Sequence, residues 1–225
     1  MRTQRALLLD GRRDDSGTLA FAHAALRDGL SAAGWAVDDW TLRDDDICKC
    51  TGCFGCWVKT PGACVSHGAA RAVAKRFIAS NLVILLTPVT FGGYSTELKK
   101  ALDHVIPVLL PYFRTVDGET RHKMRYETYP DLLAVGVVDA EGAAAEDQAE
   151  TFRDLVARNA LNLTPRTHAA GVLPFDASEL EVRTRVSELL RQVNASGAPA
   201  DSGIGPTIAR QTSADAPSSG NEVSS

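Results

Sequence analysis

A chain of 225 residues with 44% hydrophobic and 23% charged side chains can build one sizeable core and at most two small ones. Its 24 Lys and Arg against 28 Asp and Glu leave a formal charge of −4. That balance lacks the basic footprint a nucleic-acid binder needs to neutralise phosphates. No apolar run approaches the roughly 20 residues of a membrane span, and the run 6–9 is too short for a signal-peptide core, so the expected location is the cytoplasm.

In chain order, the first element is a buried strand over Arg5–Asp10, a short apolar run ending in a Gly-bearing turn. Residues 18–33 have helical spacing, with Leu19, Ala22, Leu26 and Leu30 on one face and Ser16 or Thr18 as cap. Gly34 ends that helix, and 35–42 alternates as a second strand. After a cysteine-bearing loop, 69–80 is helical, 81–88 reads as the third strand and 95–110 as a helix. A strand over 131–138, a helix over 146–162, a strand over 167–173 and a helix over 177–193 complete the pattern. Strands alternating with helices give an α/β fold whose parallel sheet is covered on both faces. The domain is expected over 1–194. Residues 195–225, rich in Ser, Ala, Gly and Pro and without an aromatic, read as a disordered tail.

Parallel sheets bind ligands outside the carboxyl ends of their strands. The loop after the first strand, Asp10-Gly11-Arg12-Arg13-Asp14-Asp15-Ser16-Gly17-Thr18, is neither GxGxxG nor a P-loop. It still offers glycines, two hydroxyls and a helix N-terminus, enough to hold a phosphate without a metal. A solvated turn that caps the helix is the plainer reading. The loop after the third strand, Thr87-Pro88-Val89-Thr90-Phe91-Gly92-Gly93-Tyr94-Ser95, joins glycines that allow close backbone approach to an aromatic that could border a flat ring. Its plainer reading is a loop capped at Ser95.

All five cysteines fall between Cys48 and Cys64, which in a reducing compartment points to metal or redox use. Cys50, Cys53 and Cys56 have the C-x2-C-x2-C spacing of cubane iron–sulfur sites, and Cys64 can supply a fourth thiolate. Zinc fits less well, because its structural sites take two separated ligand pairs. Reduced cysteines buried in an irregular loop are the structural alternative.

Four segments in order resemble the NADPH-dependent FMN reductase family, flavodoxin-like proteins that include the iron–sulfur flavoproteins. They are the 10–18 loop, with Arg13 and Thr18 in matching places; Cys50-Thr51-Gly52-Cys53-Phe54-Gly55-Cys56 with Cys64; Pro88-Val89-Thr90-Phe91-Gly92; and Leu98-Lys99-Lys100-Ala101-Leu102-Asp103. The resemblance implies a flavodoxin-like three-layer sandwich with a five-stranded parallel sheet of order 2-1-3-4-5. It implies FMN at the carboxyl edge, its phosphate held by Gly11, Arg12, Arg13, Ser16, Gly17, Thr18 and Leu19. The isoalloxazine would lie against Pro88, Val89, Thr90, Phe91, Gly92 and Gly93, with the loop after Val138 closing the far side. NAD(P)H would be the co-substrate, and a quinone, a small acceptor or an iron–sulfur cluster would take the electrons. A [4Fe–4S] cluster would sit on Cys50, Cys53, Cys56 and Cys64, with Cys48 spare, and the protein would be a homodimer or homotetramer. No side chain need act as acid or base, so no catalytic residue is assigned.

The chain also departs from the family. Asp10 stands where Gly is usual; a carboxylate about 5 Å from a phosphate, at an effective dielectric of about 20, costs on the order of 3 kcal/mol. Thr90 replaces a common aromatic, and Val65-Ser66-His67-Gly68 follows Cys64 where an Asp pair is common. Two alternatives therefore stand beside the reductase: an iron–sulfur flavoprotein acting as an electron relay, and a flavin-less module whose cysteines sense redox state. The charged run 114–125 reads as a solvated loop, within an insertion over 105–126 that carries exposed-looking apolar residues.

Overall fold

The computed structural model describes residues 3–15 and 17–194. Ser16 and the expected tail lie outside the described residues. Among the described residues there are seven strands and six α-helices. β1 (Arg5–Asp10), β2 (Ala36–Thr41), β3 (Leu82–Val89), β6 (Asp131–Val138) and β7 (His168–Pro174) form one parallel sheet. Its order is β2-β1-β3-β6-β7. In β3 and β6 nearly every residue is buried, as runs such as LVILL and DLLAVGVV require of strands covered on both faces.

Alternation along each strand divides the core in two. Leu7, Leu9, Val83, Leu85, Leu132 and Ala134 point to one side, where α3 (Ala69–Ile78), α4 (Thr96–Asp103) and α5 (Gly142–Leu163) pack. Ala6, Leu8, Leu82, Ile84, Leu133 and Val135 point to the other, against α1 (Gly17–Ala32) and α6 (Glu179–Asn194). Each fully buried Leu, Ile or Phe contributes about 1.5–3 kcal/mol. These two clusters are therefore what holds the sandwich closed and its carboxyl edge in place.

The middle of the chain differs from its sequence reading. The helix expected over 95–110 ends at Asp103, capped at His104. Pro107 follows; it cannot continue a helical ladder and restricts the residue before it. A 3-10 turn at Ile106–Val108 then leads into β4 (Leu109–Val116), which pairs antiparallel with β5 (Glu119–Met124). The charged run thus forms the end of β4, the turn and β5 rather than a solvated loop. Asp117 and Gly118 form its two-residue turn, with φ of 52° and 78°, the positive values that suit the twist of a hairpin. The sheet expected as 2-1-3-4-5 becomes 2-1-3-6-7 in chain numbering, because this hairpin interposes two strands.

The hairpin is fastened from outside the sheet. Trp57 Nε1 donates to the Leu109 carbonyl at 2.9 Å, and the Tyr129 hydroxyl donates to the Val108 carbonyl at 2.6 Å. Trp57 lies in the short helix α2 (Gly55–Val58) inside the cysteine segment, so hairpin and cysteine loop are bound together.

Candidate functional site

At the carboxyl edge, one serine joins the two loops singled out by sequence. Ser95 caps α4, its Oγ accepting from Leu98 N–H at 3.3 Å, and the same hydroxyl donates to the Gly11 carbonyl at 2.9 Å. Gly11 N–H in turn donates to the Leu86 carbonyl of β3 at 2.8 Å. A Cβ at Gly11 would lie 2.7 Å from Ser95 Oγ and 2.9 Å from Leu98 Cβ. Only glycine allows this approach, which sets the 10–18 loop beside the 87–95 loop.

Asp10 is fully buried and faces inward. One oxygen accepts Arg12 N–H at 3.0 Å, and the other lies 2.7 Å from Arg12 Nε and 3.7 Å from His23 Nε2. Burial pushes its carboxyl up, outweighing the opposing pull of Arg12. Arg12 Nη2 also reaches Asp15 Oδ1 at 3.2 Å. The Arg12 side chain is thus spent beneath the loop, whereas Arg13 is exposed. Gly17, at φ 64°, opens α1, and no atom lies within 4 Å of where its Cβ would be. Thr18 turns inward and donates to the Phe175 carbonyl at 2.6 Å, tying α1 to the end of β7. Leu19 packs on the α1–α6 core.

The second loop is a tight reversal. Thr90 and Gly93 exchange backbone hydrogen bonds of 3.0 and 2.9 Å. Phe91 and Gly92 between them have φ of 50° and 76°. A Cβ on Gly92 would meet Thr151 of α5 at 2.5 Å. Phe91 is 94% exposed although it holds a left-handed backbone that suits glycine or asparagine better. Pro88 and Val89 lie in β3 and carry the reversal to the sheet edge.

Beside this reversal, a cavity of about 770 Å³ lies on the α3–α4 side of the sheet. Gly93 and Tyr94 line it together with Cys50, Cys53, Cys56 and Cys64, whereas none of the described residues among 11–19 does. Sequence reasoning missed Tyr94 and Asn159. The Asn159 side chain donates to the Tyr94 hydroxyl at 2.8 Å, and burial raises that phenol to about 12. The pairing joins α5 to the β3–α4 loop, a contact with no local sequence signal.

The thiols differ sharply from one another. Cys48, Cys50 and Cys53 are exposed, whereas Cys56 and Cys64 are buried. The Gly55 amide and then the Thr51 hydroxyl, both donating to its sulfur, lower the Cys53 thiol. Burial first, and then the neighbouring Cys64, raise that of Cys56. Among the described residues no three His, Cys, Asp or Glu side chains gather as a metal-holding group. The expected [4Fe–4S] ligands Cys50, Cys53, Cys56 and Cys64 all line one cavity, two of them exposed and two buried, without gathering as such a group. Cys48 stands apart, its carbonyl accepting from buried His104 Nε2 at 2.8 Å.

The model of the NADPH-dependent FMN reductase family matches residues 5–160. The chain belongs to that family. It is accordingly an FMN-dependent NAD(P)H oxidoreductase. Among solved structures it is similar to an NAD(P)H:quinone oxidoreductase from Methanothermobacter marburgensis, at 13% identity and TM-score 0.64, over 86% of this chain and 100% of that one. It is also similar to an azoreductase from Bacillus anthracis str. Sterne, at 12% identity and TM-score 0.61, over 86% and 99% of the two chains. An FMN-dependent NADH-azoreductase from Bacillus anthracis str. Ames Ancestor, solved in complex with FMN, matches at 10% identity and TM-score 0.59, over 86% and 98%. At such identities these likenesses show the fold, which is the flavodoxin-like arrangement expected. No curated protein matches the sequence. No helix among the described residues is long and apolar enough to cross a membrane.

Proposed function

We propose that this reductase holds one FMN along the carboxyl edge and passes electrons from NAD(P)H to a small apolar acceptor of the quinone class. The observation that carries the reading is the Ser95 clamp, which sets the loop suited to a phosphate beside the loop suited to a flat ring. The residues fit FMN at both ends. Because Asp10 is folded inward against Arg12 and His23, its charge does not face the mouth of the loop. The exposed Arg13 and the α1 N-terminus, opened by Gly17, supply positive potential there.

In this reading Gly11, Arg12, Arg13, Ser16, Gly17, Thr18 and Leu19 form the phosphate loop. Arg12, Thr18 and Leu19 act from beneath, as braces, and Arg13 acts at the mouth. Pro88, Val89, Thr90, Phe91, Gly92 and Gly93 border the ring, with Gly92 and Gly93 allowing close approach and Phe91 offering an exposed aromatic face. FMN supplies the hydride and electron chemistry, while the protein binds and orients it and tunes its potential. The chain's own side chains need not transfer a proton. The cavity beside Gly93 and Tyr94 suits an apolar acceptor, being walled by residues such as Leu102, Ile106 and Leu155. Exposed Tyr112 and Phe113 suit burial against a second copy, in a homodimer or homotetramer, and the working location is the cytoplasm.

The two departures that favoured a flavin-less sensor lose force, since Asp10 is turned inward and Thr90 is followed by exposed Phe91. An iron–sulfur relay has less support, since no three of those thiols gather as a metal-holding group among the described residues. Arg13→Ala tests the phosphate assignment. Removing this exposed cation is expected to weaken FMN binding about tenfold with little change in stability. Unchanged affinity, measured by quenching of flavin fluorescence, would contradict it.

A further inference from the structure

We propose that Cys53 and Cys56 form a thiol–disulfide exchange pair, a second redox centre that acts on small disulfides bearing aromatic or apolar groups. It goes beyond the reductase reading and does not depend on it. The pair has an outer and an inner member: Cys53 is exposed and Cys56 is buried. Gly52 and Phe54 both have left-handed backbones, at φ 65° and 53°, so the chain doubles back immediately before α2. The Cys53 sulfur lies forward over that turn, 3.5 Å from where a Cβ of Gly55 would be. Cys56 is the next residue after Gly55. A disulfide requires Cα atoms roughly 6 Å apart, a separation that residues three apart across a turn can adopt.

The surroundings set the substrate class. Phe54 stacks on Trp57 with centroids 5.4 Å apart, and Val65 closes over Gly55 from the other side. Both the pair and these apolar walls line the 770 Å³ cavity at Phe54, Val65 and Leu109. An aromatic disulfide finds flat apolar surface beside the exposed sulfur.

The exchange balances without a further co-reactant. Deprotonated Cys53 attacks one sulfur of R–S–S–R, forming Cys53–S–S–R and releasing R–S⁻, which takes up a proton equivalent to the one Cys53 lost. Cys56 then attacks the Cys53 sulfur, releases the second R–SH with its own proton, and leaves the Cys53–Cys56 bond. The two cysteines lose two electrons and two protons, and the small disulfide becomes two thiols.

The test is one equivalent of 4,4′-dithiodipyridine added to the reduced full-length protein without NAD(P)H, followed by intact mass and peptide mapping. The first product expected is a chain lighter by about 2 Da that retains no pyridyl group and carries a Cys53–Cys56 bridge. Cys56→Ser should instead retain one pyridyl group on Cys53, and Cys53→Ser should slow the first reaction about tenfold or more. A pyridyl group stably retained on Cys53 of the unsubstituted chain would overturn the proposal. So would a bridge mapped to Cys56 and Cys64, or first reaction at Cys48 or Cys50. FMN is neither added nor required for this readout, so failure of the flavin reading leaves it unaffected.

Discussion

Phe91 holds a left-handed backbone at the tip of the β3–α4 reversal while burying almost none of its ring. Such a conformation costs a residue of this kind on the order of 1 kcal/mol. Phe91→Asn should therefore raise stability by about 0.5–1 kcal/mol in denaturant titration, since asparagine tolerates the conformation. The same substitution should weaken FMN binding, because the aromatic border is lost; stronger binding would speak against a ring contact there. Tyr94 carries a second prediction. Its phenol is held near 12 by burial, above the ordinary value near 10. The corresponding stability is full below about 10 and is lost as pH rises through about 12. Tyr94→Phe should flatten that alkaline fall and cost about 1 kcal/mol at neutral pH, as Asn159 loses its acceptor. Residue type and spacing disclosed the Cys50, Cys53 and Cys56 run and the glycine-bearing loops. They could not disclose that Asp10 turns inward, because that follows from Arg12 and His23 closing on it from a loop and a helix.

At the scale of elements, close approach of helix to sheet is set by small residues. A Cβ on Gly136 of β6 would lie 2.6 Å from Val89 Cγ2 and 3.0 Å from Phe152. Gly136→Ala should destabilise by about 1–3 kcal/mol through overpacking, visible as a lower denaturation midpoint at unchanged slope. The strands were legible because runs such as LVILL leave little alternative to a doubly covered strand. The hairpin was not. Its Asp117-Gly118 turn is a strong hairpin signal, but Arg114, Arg121, His122 and Lys123 hide the alternation that would have marked β4 and β5. Packing against Trp57 and α5 holds those strands in place, and none of that is local in sequence.

At the scale of the whole molecule, two apolar clusters clamp a parallel sheet, and the edge where its loops meet is left for chemistry. The sheet's topology directs both candidate loops to that edge, and the Ser95 clamp fixes their spacing. The cysteine segment and the hairpin form a second body of structure on one side, and the cavity the cysteines line adjoins the β3–α4 reversal at Gly93 and Tyr94. On the proposed function, the carboxyl edge binds FMN, which a nicotinamide nucleotide reduces. The most direct test is to mix the full chain with FMN, remove unbound ligand by gel filtration, and record the visible spectrum before and after anaerobic NADPH or NADH. Co-elution of a stoichiometric flavin band that bleaches with either nucleotide is the expected result. Elution of colourless protein, with all FMN in the small-molecule fraction, would contradict it.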